Sequence, residues 1–150
     1  MDQGRNIVKT LNQKISQNGA AAVEFAIILP LLVTLVFGIV EFSILFYNKA
    51  MITNASREGA RVGIVFNSNL SNAARTQLIT NTVTNYCGNN LITFGAAGTS
   101  PTVNVSLGAG AGDPLTVTVD YHYNFLVLPN FISTLMGGLD LSAVTVMRME

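Results

Sequence analysis

Gly19-Ala20-Ala21-Ala22-Val23-Glu24-Phe25 opens an apolar segment that runs to Val40 with Glu24 as its only charged residue. As a helix, Ala20 to Val40 rises about 1.5 Å per residue and so spans roughly the hydrocarbon core of a bilayer. A carboxylate at mid-bilayer costs about 2.5–3.5 kcal/mol on insertion scales, so Glu24 calls for a partner and a purpose. The polar leader before it carries Arg5, Lys9 and Lys14 against Asp2. Basic residues on that side keep the leader cytoplasmic and put the rest of the chain outside. Past Glu41 the apolar surface continues through Phe42, Ile44, Leu45, Phe46 and Tyr47, and Phe46 and Tyr47 suit the outer interface.

Charged residues make up only 11% of the 150, while apolar residues reach 49%. The low charge therefore reflects a membrane segment joined to a Thr/Asn/Gly-rich remainder. Net charge is zero, and no basic patch or acidic tail points to nucleic acid. Cys87 stands alone, so the chain has no internal disulfide, and a buried thiol is the expected fate.

A cleaved secretory signal would end in small residues after its apolar run. Here the small residues Gly19 to Ala22 precede the run, so a cut would fall on the cytoplasmic side and leave the helix in place. A cut after Gly19 would give Ala20 a new α-amino group one helical turn from Glu24. That amine could neutralise the carboxylate within one chain or between neighbours. A carboxylate in a first turn also gains about 0.3–1 kcal/mol from the helix dipole. The plainer alternative makes Glu24 a headgroup-level residue of an uncut anchor. Pro30, inside the run, removes one backbone hydrogen bond and favours a kink or local stretch.

The segment resembles the TadE-like pseudopilins of the Tad (tight adherence) system. Glu24 stands fifth and Phe25 sixth after Gly19, and Ile28-Leu29-Pro30, Gly38-Ile39-Val40-Glu41-Phe42 and Asn54-Ala55-Ser56-Arg57-Glu58-Gly59-Ala60-Arg61 continue the likeness. The closing Val144 to Glu150 is similar in outline. The resemblance implies processing by a prepilin peptidase between Gly19 and Ala20, with Glu24 and Phe25 acting in assembly. It also implies a bacterial inner-membrane protein whose partners are other Tad pilins and the pilus assembly platform, with a role in surface adhesion. It brings no cofactor and no nucleic acid. The length beyond the membrane favours a minor over a major subunit.

Lys49 to Val65 has no proline, and Ala55, Gly59 and Gly63 fall four apart on one face. Small residues in that pattern let another backbone approach, either the chain's own sheet or a partner helix. Arg57, Glu58 and Arg61 read as a solvated face with one i,i+3 pair. Asn67-Ser68-Asn69 breaks the helix. A second amphipathic helix follows from Leu70 to Tyr86, with Leu70, Ala74, Leu78, Ile79, Val83 and Tyr86 on one face and Cys87-Gly88 as its end. Gly95 to Ser100 is a loop. Thr102 to Leu107 alternates as a strand, Gly108 to Pro114 is a turn, and Leu115 to Phe125 alternates without a break. Phe125 to Gly138 is an apolar excursion, and Ser142 to Met149 is a closing strand.

The predicted architecture is α+β: a long N-terminal transmembrane helix continuing as a stalk, a second amphipathic helix and a small antiparallel sheet of about three strands. Its divisions are a leader over 1–19, a membrane helix over 20–47, a stalk over 48–66 and a head over 67–150. Catalytic chemistry is not evident. Asp120-x-His122 offers two metal ligands where a zinc site needs three or four, so no metal is expected. No nucleophile sits in a recognisable elbow, and the Tyr121/Tyr123/Phe125 stripe reads as core. A structural pilus subunit therefore leads, a tethered extracytoplasmic binding module follows, and an enzyme comes last.

Overall fold

The computed structural model describes residues 3–65, 70–94, 100–127 and 137–150, with side chains described from Gly19 onward. Two helices precede three strands: α1 (Gln3–Gly63), α2 (Asn72–Asn90), β1 (Thr102–Ser106), β2 (Pro114–Tyr123) and β3 (Leu139–Arg148). The fold is α+β, and among the described residues one helix is long and apolar enough to cross a membrane. The expected breaks at 67–69 and 95–99, and residues 128–136 of the apolar excursion, lie outside the described residues.

The chain divides into two compact units, Met1–Ile39 and Val40–Glu150. In the first, α1 passes through Pro30, whose carbonyl accepts a hydrogen bond from Thr34 Oγ1 at 2.8 Å. From Gly19 to Ile39 almost every side chain is exposed, apolar ones included.

In the second unit the sheet is antiparallel with order β1-β2-β3. Thr102 pairs with Asp120 at one end of the β1–β2 ladder, and Tyr123 pairs with Leu139 at one end of β2–β3. Alternation works as expected on β2: Leu115, Val117, Val119, Tyr121 and Tyr123 are buried and the intervening residues are not. Each fully buried aliphatic side chain contributes about 1.5–3 kcal/mol of hydrophobic stabilisation. These residues meet Leu45, Ile52, Ala55 and Ala60 of α1, Ile79, Val83 and Cys87 of α2, and Leu141 and Ala143 of β3 in one core.

α2 departs from the expected helix in two respects. Its buried face is Arg75, Ile79, Val83 and Cys87, a strict four-residue stripe. Leu70, Ala74 and Leu78, placed on the core face by sequence, are exposed. The reason is contact rather than hydropathy: Ile79 and Val83 fill the space left open by the α1 glycines, which fixes the helix's rotation. The helix also continues through Cys87-Gly88 to Asn90, where Leu91 in extended conformation ends it and donates its N–H to the Cys87 carbonyl at 2.9 Å. At the other end Ser71 caps it, its hydroxyl accepting from the Ala74 N–H at 3.2 Å. The turn before β2 is held by Asp113, whose Oδ2 accepts from the N–H groups of Ala109 and Gly110 at 2.9 and 3.0 Å.

Candidate functional site

The residues singled out by sequence fall into two groups, one in each compact unit. Gly19, Ala20, Glu24 and Phe25 lie on the exposed first stretch of α1. Nothing approaches within 4 Å of a Cβ built on Gly19, so the backbone at that position is open. A helix that is apolar all round and exposed has the surface of one that packs in a bilayer or against other helices. Glu24 is the one carboxylate on that surface between Gly19 and Val40.

Ala55, Gly59 and Gly63 belong to the second unit and are buried. A Cβ on Gly59 would stand 2.5 Å from Val83 Cγ2, and one on Gly63 would stand 2.6 Å from both Ile79 Cδ1 and Leu115 Cδ2. Here the chain's own α2 and β2 take up the close approach that small residues permit. The alternative occupant of that face, a partner helix, is shut out within the folded unit.

The second unit also holds a site that the sequence reading passed over. Glu41, the residue after Val40, is only 2% exposed. Its Oε1 accepts a hydrogen bond from Tyr123 Oη at 2.5 Å and from the Leu126 N–H at 2.9 Å, while Oε2 accepts from the Val127 N–H at 2.7 Å. One carboxylate thus closes the end of β2 and the start of the following loop onto α1. Burial, and then the hydrogen bond to Glu41, holds the Tyr123 phenol well above the usual tyrosine range, so it stays protonated and donating. Two turns on, Asn48 is fully buried and mimics a paired strand residue. Its Nδ2 donates to the Ile92 carbonyl and its Oδ1 accepts from the Ile92 N–H, both at 2.9 Å. Lys49 donates to the Ser142 carbonyl, and the hydroxyls of Ser56 and Thr145 meet at 2.7 Å. Glu41, Leu45, Asn48, Ile52, Ala55, Gly59 and Gly63 lie on one helical stripe. A signal was present: Glu41 and Asn48 sit at helical spacing on the same face as the small residues.

His122 and Asp140, exposed and on adjacent strands, form a 2.6 Å pair. Asp120, the other potential ligand named from the sequence, lies 3.5 Å from Asn104, while the register sets His122 beside Asp140 of the next strand. Among the described residues no group of three His, Cys, Asp or Glu side chains is placed to hold a metal. Cys87 is buried, and burial pushes its thiol up to about 11, which keeps it protonated at neutral pH. Glu58 and Arg61 form an exposed bidentate pair at 2.6 and 2.9 Å. The hydrogen bonds from Arg61 hold the Glu58 carboxyl below its usual range.

Residues 19–61 match the family model described as TadE-like protein. That span takes in the open glycine, Glu24, the Glu41 clasp and the packed Gly59. No curated protein and no solved structure matches the chain.

Proposed function

We propose, from the premise that residues 19–61 make this a TadE-like, Tad-pilus-associated chain, that the protein is a minor pilin (pseudopilin) of a Tad pilus. In this reading a prepilin peptidase cuts between Gly19 and Ala20. The leader is cytoplasmic, Ala20 to Val40 crosses the bacterial inner membrane, and the α+β head lies outside. There it takes part in the assembly or composition of a filament used for surface adhesion.

The observation that carries the reading is the exposure of α1 from Gly19 to Ile39, apolar on every side around the single carboxylate of Glu24. The rest of that helix is used up by the head, so the first stretch alone is free to meet other subunits. In a bundle of such helices Glu24 would pair with the Ala20 amine of the same or a neighbouring chain. The pairing removes two charges from the apolar phase and fixes their axial register.

The test is the mature N-terminus. Mass and N-terminal analysis of the membrane protein, with and without the prepilin peptidase, is expected to show a chain starting at Ala20 only when the peptidase is present. A chain that keeps its leader in both cases would instead make this an anchored extracytoplasmic binding module. Glu24→Ala is expected to insert and be cut but to be missing from sheared pili. Its normal incorporation would remove Glu24 from the assembly mechanism.

A further inference from the structure

The face of the sheet turned away from the core carries a depression of about 540 Å³ toward the Tyr123 end of β2. Its surface follows from the register. Thr102, Asp120 and Ser142 stand abreast on three neighbouring strands, and His122 and Asp140 form the next row on the same face. Side chains paired in this way lie about 5 Å apart, so the two rows make one continuous surface. Ser100, just ahead of β1, closes one side. Tyr121 and Leu141 also line the depression, but their side chains turn into the core, 3% and 6% exposed, and leave backbone as its floor.

The rim is polar throughout. His122 donates from Nδ1 to Asp140 Oδ1 at 2.6 Å, since a carboxylate only accepts. On the other side of the ring a Cβ on Gly138 would stand 2.6 Å from Nε2, and the φ of +130° at Gly138 suits glycine alone. A glycine thus backs the imidazole closely, and the ring is held from both sides. Among the described residues Asp120 makes one long contact, to Asn104 at 3.5 Å, and keeps acceptor capacity to spare. The lining residues include no lysine or arginine, so a phosphate, a sulfate or a nucleic acid would meet two carboxylates and no counter-charge. An apolar ligand would find no apolar side chain to cover.

We propose that this depression binds a saccharide, one sugar hydroxyl donating to the Asp120 carboxylate while its neighbours exchange hydrogen bonds with the hydroxyls of Thr102, Ser142 and Ser100. The size is that of a small-molecule site. The donor set selects the class of ligand. Three side-chain hydroxyls both donate and accept, whereas the two carboxylates only accept. A sugar hydroxyl also does both, so one ring satisfies both kinds of group at once. An ammonium group only donates, and it would leave the hydroxyl donors of the rim without an acceptor. The inference concerns the head alone, so it stands for a pilin and for an anchored module alike.

The test is NMR titration of the isotope-labelled full chain in a zwitterionic detergent free of sugar headgroups. The probes are methyl α-D-glucopyranoside, methyl α-D-mannopyranoside and methyl β-D-galactopyranoside. At least one of them is expected to shift the backbone amides of Thr102, Asp120, His122 and Ser142, saturating at about millimolar concentration. Ser106 and Thr116, on the same face outside the depression, should stay in place. Asp120→Asn keeps the shape and removes the charged acceptor, and should weaken binding about tenfold. Should that variant disturb the sheet, Ser142→Ala, which removes one exposed hydroxyl, takes its place in the comparison. Absence of a saturable shift with all three pyranosides overturns the site, and so does a shift that the variant leaves unchanged. Shifts produced by methylammonium chloride and not by the pyranosides would assign a cation site and overturn the saccharide.

Discussion

The two stretches of α1 solve opposite problems with one backbone geometry. From Gly19 to Ile39 the helix is almost wholly apolar, and nearly every side chain on it is exposed. From Val40 to Gly63 one face is buried, and it is inset with polar groups, Glu41, Asn48 and Ser56, each with a partner in the head. In the first stretch the surrounding medium has to supply the packing. In the second, specificity comes from matched hydrogen bonds and from glycines that admit neighbours. A buried polar group left without its partner costs about 1–3 kcal/mol, so the second stretch tolerates substitution far less than the first.

Glu41→Ala should break the contrast most severely. It strands one phenol and two backbone N–H groups, and a loss of about 4 kcal/mol of head stability is expected from groups of this kind, read as a lowered unfolding midpoint in detergent. An unchanged midpoint would show that water replaces the carboxylate at no cost. Leu31→Asp is the converse: it should oppose membrane insertion by about 2.5–3.5 kcal/mol, read by alkaline extraction, while head unfolding stays as in the parent.

A matched pair of glycines sharpens the comparison. Gly59→Ala drives a methyl to 2.5 Å from the stiff Val83 side chain, and overpacking of this kind costs about 1–3 kcal/mol. Gly38→Ala meets nothing within 4 Å and should be neutral or slightly stabilising through helix propensity. Equal effects at the two positions would refute the division of α1 into covered and uncovered stretches.

The smallest effects belong to the surface and to the thiol. Glu58→Gln should leave the unfolding midpoint unchanged, because an exposed pair is screened by water. Since the folded state lowers the Glu58 carboxyl, any contribution it makes is present above the ordinary carboxylate range and disappears as pH falls through the lowered value. Cys87, with its thiol raised to about 11, should resist maleimide at neutral pH and react on unfolding.

What sequence could show depended on range. The strands were legible because alternation is local: Leu115 to Tyr123 carries its own inside and outside. The apolar first stretch of α1 was legible because it is uniform. The core face of α2 was not, since an Arg occupies the buried stripe while Leu78 faces out. Only the positions of Gly59 and Gly63 on another helix determine that rotation. Of the candidate site, Gly19 and Glu24 were singled out by the apolar run they open and by the resemblance that run carries. The Glu41 clasp was harder to read: the helical spacing of Glu41 and Asn48 marks the face, but the partners lie 82, 85 and 86 residues away.

Those separations set an order of events. As the chain emerges from the ribosome, Glu41 appears long before Tyr123, Leu126 and Val127 exist. In the interval those three donors are missing and water has to stand in for them. When β2 arrives, the water is exchanged for three hydrogen bonds. A contact of such long range closes late. The Glu41 clasp is thus expected to form late in the folding of the second unit.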